Sequence, residues 1–344
     1  MSLSLGHALP MIEFGTLTFA APFQGATLAA ESEALGFDYQ LFGVNECQTT
    51  DVFTELRMAA EATSRIRLGC GVANFVTRHP CVVASAIAAI QVASGGRAIC
   101  AVGKGDSALG RIGLRPQRHA DFSRDLGILR AYLLQQPATV NGIESRIGWL
   151  ENAGYTNVPI EVAATGPKTL AVAGALADRV SLAVGAAPSR IDWALEIIRS
   201  SAAAAGRDPS EVTIGAHLPI WISDSRREAI DELRPHVVGW AHMASFDPRH
   251  VATHDPILHK VTSTVHDVYD YDHHGVEESR NSPMSHLADD EFVDYYGIAG
   301  PVDYVVERVG ALLEKGLEFV NVVGLGEQKV RFAKEVAPAL RTLG

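Results

Sequence analysis

Short apolar segments alternate with helical patterns along most of this 344-residue chain. Strand candidates lie at 12–20, 38–43, 68–76, 98–102, 159–164, 179–184, 211–222 and 318–324. Helical patterns lie between them, at 25–35, 52–63, 80–94, 119–134, from Pro167, at 189–205, 225–241 and 301–315, and a last one at 328–342 closes the chain. Eight such alternations predict an α/β fold of the (β/α)8 TIM-barrel type, with insertions. An open doubly wound sheet is the alternative, but it usually has two strands fewer.

Composition excludes several classes of protein. The chain is 47% hydrophobic and has a formal net charge of -11, which disfavours a nucleic-acid surface. Apolar runs fall short of the roughly 20 residues that a membrane span needs. The four cysteines, Cys47, Cys70, Cys81 and Cys100, show no CxxC spacing and are expected to be reduced. We therefore predict a cytoplasmic protein with no membrane partner, folded as one domain over residues 1–344.

Two glycine-containing loops follow predicted strands. Gly103, Lys104, Gly105, Asp106 and Ser107 come directly after the apolar run 98–102, although the GK[ST] ending of a P-loop is absent. The second loop, Thr165-Gly166-Pro167-Lys168-Thr169, opens a helix, with proline at a favourable first-turn position. Backbone N–H groups in such loops can bind an anion, so both loops are candidate phosphate contacts. A glycine turn and a plain helix start are the structural alternatives.

Three sequence pieces resemble the bacterial-luciferase-like superfamily. They are GVANFVTRHP at 71–80, SGGRAICAVGKGDSALG at 94–110 and EVAATGPKTLAVAGALAD at 161–178. The chain is most similar to the methylenetetrahydromethanopterin reductase branch, whose members use the deazaflavin coenzyme F420. The resemblance implies a TIM barrel with a flavin-type cofactor across the carboxyl ends of the strands, and it does not choose between coenzyme F420 and FMN.

The resemblance also implies where the cofactor would bind. Relatives carry a non-proline cis peptide behind the cofactor ring, and alignment places it at Gly71–Val72. Asn74 has both a donor and an acceptor for the ring, so it is a candidate catalytic residue. The implied cofactor-binding residues are Gly71, Val72, Ala73, Asn74, Gly103, Lys104, Gly105, Asp106, Ser107, Ala164, Thr165, Gly166, Pro167, Lys168 and Thr169.

The acid–base residues of relatives are less well matched. Several deazaflavin relatives carry an Asp-His pair where this chain has Asn45-Glu46, and the acid on the first strand of some relatives is missing. Glu46 is the second candidate catalytic residue, on the condition that burial raises its pKa. A solvated carboxylate is the alternative.

Residues 246–298 interrupt the alternation with seven histidines and little periodicity. We predict an insertion or lid over the site, or an oligomer contact. Asp270, Asp272, His273 and His274 suggest a metal, but adjacent histidines on a strand point to opposite faces and no ligand motif is present. No metal site is predicted.

Three functions remain open from the sequence. The first is hydride transfer between coenzyme F420 and a small organic substrate. The second is an FMN-dependent luciferase-like monooxygenase that uses reduced flavin and O2 and is fed by a separate flavin or F420 reductase. The third is a non-catalytic flavin-binding protein. A homodimer or higher homo-oligomer is expected in each case.

Overall fold

The computed structural model describes residues 12–244, 255–271, 284–323 and 326–342. Eight parallel strands form a closed barrel, as the alternation predicts. They are β1 (Glu13–Thr18), β2 (Tyr39–Phe42), β3 (Arg67–Cys70), β4 (Ala98–Val102), β7 (Ile160–Ala164), β8 (Arg179–Leu182), β9 (Thr213–Ile222) and β11 (Phe319–Val323). Each pairs with its neighbour in chain order, and β11 pairs with both β9 and β1, which closes the ring.

Helices surround the barrel and bury their apolar faces against it. They are α1 (Gly25–Ala34), α2 (Val52–Ala62), α3 (Pro80–Ser94), a short α4 (Ser107–Gly110), α5 (His119–Leu133), α6 (Pro167–Leu176), α7 (Pro188–Ala204), α8 (Arg226–Ala244) and α11 (Val302–Leu313). The start of α6 at Pro167 and the end of α3 at Gly95, which has φ 68°, agree with the sequence signals. None of the helices in the described ranges is long and apolar enough to cross a membrane.

Two segments add detail to the predicted alternation. Between α5 and β7 lies a hairpin, with β5 (Ala138–Val140) antiparallel to β6 (Ile143–Ser145). The closing helix is not continuous: α12 (Glu327–Arg331) and α13 (Ala337–Arg341) flank a π-helical turn at Phe332–Val336. Pro338, near the start of α13, has no N–H to continue a regular α-helical ladder, which accounts for the change in winding.

The prediction of an aperiodic tract at 246–298 is wrong for its described parts. Helix α9 (Pro256–Val268) and helix α10 (Asp290–Tyr296) lie within it, and strand β10 (Ile298–Gly300) begins at its last residue. Leu258, Val261 and Val265 recur at helical spacing and are buried in a second apolar cluster together with Val237 and Val238 of α8. That 246–298 is an insertion or lid on a single domain stays a prediction.

Asp255 fixes the start of this segment to the barrel. Its Oδ1 accepts a hydrogen bond from the backbone N–H of Leu258 (2.9 Å), which caps α9. Its Oδ2 accepts from Arg190 Nη1 on α7 (2.9 Å) and from the Tyr295 hydroxyl on α10 (2.8 Å). The carboxylate and its Arg190 partner are both almost completely buried, so three helices depend on one charged group.

Candidate active site

One cavity of about 860 Å³ lies at the carboxyl ends of the barrel strands. The three motif loops predicted from the sequence all reach it. Of the predicted cofactor-binding residues, those on its wall are Gly71, Val72, Asn74, Gly103, Lys104, Gly105, Asp106, Ser107, Thr165, Gly166, Pro167, Lys168 and Thr169. The expectation that these loops share one face of the barrel is therefore confirmed.

Ala73 and Ala164 are placed differently from the sequence expectation. Both are buried, and neither belongs to the described cavity wall. Ala163 lines the cavity, so Ala164, its neighbour on a strand, points to the opposite face. Ala73 uses its backbone to hold the wall: its N–H donates to Ala101 (3.0 Å), and its carbonyl accepts from the Gly103 N–H (2.9 Å).

Glycines allow the backbone to form a close-fitting wall between β3 and β4. The Gly71–Val72 peptide bond is cis, as the resemblance implied. A Cβ on Gly71 would lie 2.8 Å from the Leu41 Cβ, and one on Gly103 would lie 2.9 Å from Val72 Cγ2. Both distances are shorter than a normal carbon–carbon contact, so a larger residue at either position would displace this wall.

Two lysines give the neighbouring loops a positive charge. Burial lowers the pKa of Lys104, and the charge of Lys168 lowers it further. The Lys104 ammonium also lies 3.2 Å from His119 Nε2. Gly166 also lines the cavity, with open space where a Cβ would be and an ordinary φ of -115°. A bound anion would relieve the repulsion between the two ammonium groups, so this corner fits a phosphate.

Asn74 lines the cavity, but its carbonyl oxygen has a structural role. Oδ1 accepts from the backbone N–H groups of Val76 (3.0 Å) and Thr77 (2.9 Å) and from the Thr77 hydroxyl (3.2 Å). The prediction that Asn74 offers a ring both a donor and an acceptor is therefore corrected. The amide N–H groups are what it can present to a ligand.

Glu46 does not meet the condition set for an acid or base. Its side chain is exposed and accepts a hydrogen bond from the Thr77 hydroxyl (3.1 Å). It is absent from the described cavity wall, where Val44 and Gln48 represent this loop. The expected burial does not occur, because the loop after β2 turns the carboxylate to the surface.

Aromatic and imidazole side chains that the sequence analysis missed form the other side of the cavity. His217 and Trp221 come from β9, and His236 and Trp240 from α8. The rings of His217 and Trp240 lie 5.6 Å apart, and Trp221 and His236 are stacked at 5.7 Å. One signal was available in the sequence: His217 is the single imidazole in an otherwise almost entirely apolar strand, TIGAHLPIWI.

The part of 246–298 that reaches the cavity contacts the cofactor loop. Tyr269 lines the cavity and stacks on His242 of α8 at 3.6 Å. His242 Nε2 lies 3.4 Å from Asp106 Oδ1, and Arg111 donates to the Tyr271 carbonyl (2.8 Å). Asp106 thus lines the cavity and contacts the α8 histidine on which Tyr269 stacks. Asp272, His273 and His274 of the rejected metal hypothesis lie outside the described residues.

Comparisons with known proteins agree with this architecture. A family model described as luciferase-like monooxygenase matches residues 15–318. The 5,10-methylenetetrahydromethanopterin reductase of Methanolobus tindarius is 32% identical over 56% of this chain and 59% of that protein. The protein of the same name from Methanopyrus kandleri is 28% identical over 88% of each chain.

A solved structure extends the likeness to the whole fold. The coenzyme F420 dependent tetrahydromethanopterin reductase from Methanopyrus kandleri superposes with a TM-score of 0.76 at 23% identity, covering 96% of this chain and 99% of that chain. With the family model, this confirms the resemblance first drawn from the three sequence pieces. The chain belongs to the luciferase-like monooxygenase family of oxidoreductases.

Proposed function

We propose that this chain transfers a hydride between coenzyme F420 and a small organic substrate at the carboxyl end of the barrel. The observation that carries the proposal is the convergence of the cis Gly71–Val72 bond, the Gly103–Ser107 loop and the Thr165–Thr169 loop on one cavity. The similar proteins named as methylenetetrahydromethanopterin reductases favour the deazaflavin over other cofactors.

The residues present suit a phosphorylated, planar cofactor. Lys104 and Lys168 would pair with its phosphate, and the open space at Gly166 lets that group approach the start of α6. The wall formed by Gly71 and Val72 would support the ring, with Asn74 donating from its amide. When bound, the deazaflavin supplies the hydride chemistry, and the protein supplies position and electrostatics.

An FMN-dependent monooxygenase is the second candidate, because the matching family model is described as luciferase-like monooxygenase and one similar solved structure is a monooxygenase in complex with FMN. FMN also has one phosphate and a planar ring, so the same lysines and glycines would serve it. This function would add a separate flavin reductase as a partner and would need a cavity that excludes water from an oxygen adduct.

Cofactor binding separates the two candidates. Purified protein is titrated with coenzyme F420 and with FMN, and the dissociation constants are obtained from changes in absorption and fluorescence. We expect tight binding of coenzyme F420, followed by a change in its redox state when substrates are added. Binding of FMN alone would overturn the proposal. Binding of either cofactor without turnover across a wide substrate panel would favour a flavin-binding protein without catalytic activity.

We also propose that the protein acts as a homodimer or higher homo-oligomer in the cytoplasm. Helix α3 contains no charged residue, and its exposed side chains include Val82, Ala89, Val92 and Ala93. An uncharged exposed helix face is typical of a surface that another subunit covers. Sedimentation velocity should show an oligomer that Val82→Glu together with Val92→Glu converts to monomer. A wild-type monomer at micromolar concentration would contradict this.

A further inference from the structure

His217 lies on the side of the barrel opposite the proposed ring support. Strands β4, β7 and β8 separate β3 from β9 in one direction, and β2, β1 and β11 separate them in the other. The wall at Gly71 and Val72 follows β3, whereas His217 belongs to β9, and both line the same cavity. A substrate lying between a ring on the first wall and the second wall would meet His217.

The imidazole is held in a buried, neutral form. His217 is 3% exposed, and its ring lies against Trp240. Burial lowers the pKa of His217 to about 4, against the opposing effect of the Glu161 charge. Nδ1 is buried and has no hydrogen-bond partner among the described residues, which leaves Nε2 as the nitrogen proposed to meet a ligand. Other charges on the cavity wall come from Lys104, Asp106 and Lys168, all on the cofactor loops.

Beneath His217, the barrel interior is polar, although most TIM barrels fill this space with branched apolar side chains. Asn321 on β11 is the register partner of His217, and it is completely buried. Ser181 and Glu161 lie deeper on β8 and β7, and Arg179 donates to Glu161 Oε2 (3.1 Å). Within the described ranges, Asn321 Nδ2 and Oδ1, Ser181 Oγ and Glu161 Oε1 have no hydrogen-bond partner.

Such groups are rarely left unpaired. A protonated His217 imidazole would supply a partner for them. Buried polar atoms normally find partners in protein groups or ordered water. A positive charge on His217 would be stabilised by the Glu161 carboxylate and could be hydrogen-bonded by the Asn321 amide. The interior is therefore arranged to tolerate a brief protonation of a ring that is neutral at rest.

We propose that His217 is a catalytic residue that exchanges a proton with the oxygen of an alcohol or carbonyl substrate, an inference that rests on the proposed hydride transfer. In the oxidising direction the substrate C–H bond breaks and its electron pair leaves as hydride to the oxidised deazaflavin. The O–H bond breaks, its proton goes to His217 Nε2, and the C=O bond forms. In the reducing direction the imidazolium returns that proton to the oxygen. Glu161 and Asn321 are positioning residues for the charged imidazole.

The test compares His217→Phe with His259→Gln, a control at an imidazole of α9 that does not line the cavity and should leave the rate unchanged. Binding of coenzyme F420 and single-turnover redox change with secondary alcohols and ketones are measured for each protein and the wild type. We expect His217→Phe to lower the rate of hydride transfer about 100-fold or more, the range for loss of a general acid or base. The dissociation constant of the cofactor should stay within about threefold, because the loops that would bind the phosphate are intact.

Two further readouts exclude a merely structural role. Alcohol oxidation by the wild type should change little between about pH 6 and 8, whereas the rate of His217→Phe should rise with pH as the substrate loses its proton to solvent. Nitrogen NMR of the cofactor-free protein should show a neutral His217 ring over the same range. His217→Gln, which keeps a polar side chain, serves if the phenylalanine variant does not fold.

The outcomes separate the two proposals. A wild type that neither binds the deazaflavin nor transfers hydride overturns the proposed function. A wild type that does both, with His217→Phe equally fast, overturns the role of His217 alone. A variant that loses cofactor affinity and rate to the same extent also overturns it, because that result indicates a role in binding.

Discussion

The two sides of the cavity are built in different ways. The side near β3, β4 and β7 consists of glycines, loop backbone and two lysines, whereas the side near β9 and α8 consists of aromatic rings. The first depends on local backbone geometry within three short loops. The second depends on tertiary packing between a strand, a long helix and the segment around α9. The difference predicts that substitutions will affect cofactor binding on the first side and stability or turnover on the second.

The largest effect is expected where the second side is attached to the barrel. Asp255→Ala removes the buried partner of Arg190 and the cap of α9, and leaves the guanidinium without its carboxylate. Breaking a buried pair in this way costs roughly 3–5 kcal/mol in the free energy of unfolding. Denaturant titration measures the change.

Asp192→Ala is the matched control, because Asp192 lies on the same helix as Arg190 but its pair with Lys315 is largely exposed. An exposed pair contributes at most about 1 kcal/mol. If the two variants differ by less than about 1 kcal/mol, the second side does not depend on Asp255 for its attachment.

On the first side, the double substitution Lys104→Ala and Lys168→Ala should weaken binding of coenzyme F420 about 100-fold or more. Each substitution removes one charge-assisted hydrogen bond from a lysine to the phosphate, worth roughly 1.5–3 kcal/mol. Stability should not fall, because the two ammonium groups repel each other in the free protein. Fluorescence titration gives the dissociation constant.

The double substitution Lys260→Ala and Lys334→Ala, at two exposed positions that do not line the cavity, removes the same number of charges and controls for net charge. Equal losses of affinity in this control and in the Lys104 and Lys168 double variant would show that the lysine pair has no specific role.

The sequence predicted the first side well and the second side poorly. Gly103, Gly166 and Pro167 are residues whose backbone preferences mark a loop or a helix start without reference to the rest of the fold. His217 and Trp240 are brought together from a strand and a helix, and no local pattern records that contact. For Glu46 a local pattern predicted too much. A carboxylate at a strand end was expected in the cavity, but the loop turns it outward.

A third prediction concerns pH and the second side. Burial lowers the pKa of His217 from its usual value of 6.5 to about 4, so the unfolded chain binds more protons than the folded one between these values. The stability contributed by this site therefore falls as pH decreases from about 6.5 to about 4. By linkage, this site makes the free energy of unfolding at pH 5 about 2 kcal/mol lower than at neutral pH.

Replacing the imidazole removes this dependence. His217→Phe and His217→Gln differ in packing, but neither titrates, so both should flatten the stability-against-pH curve relative to the wild type by the same amount. Denaturant titrations at pH 5 and pH 7 supply the comparison. Parallel curves for all three proteins would mean that the imidazole is not held neutral by burial.

The smallest effect, and the sharpest test of a backbone-built cofactor side, is Gly166→Val. An added Cβ meets no atom within 4 Å and the φ of -115° is ordinary, so folding should be little affected. The same open space is where a phosphate would approach α6, and occupying it should weaken binding of coenzyme F420 about tenfold through loss of one hydrogen bond to a charged group.

Gly148→Val is the control, because Gly148 is equally uncrowded but does not line the cavity. Thermal unfolding should be the same in both variants while affinity falls only in the first. Unchanged affinity in a folded Gly166→Val protein would show that the phosphate does not approach the backbone at Gly166.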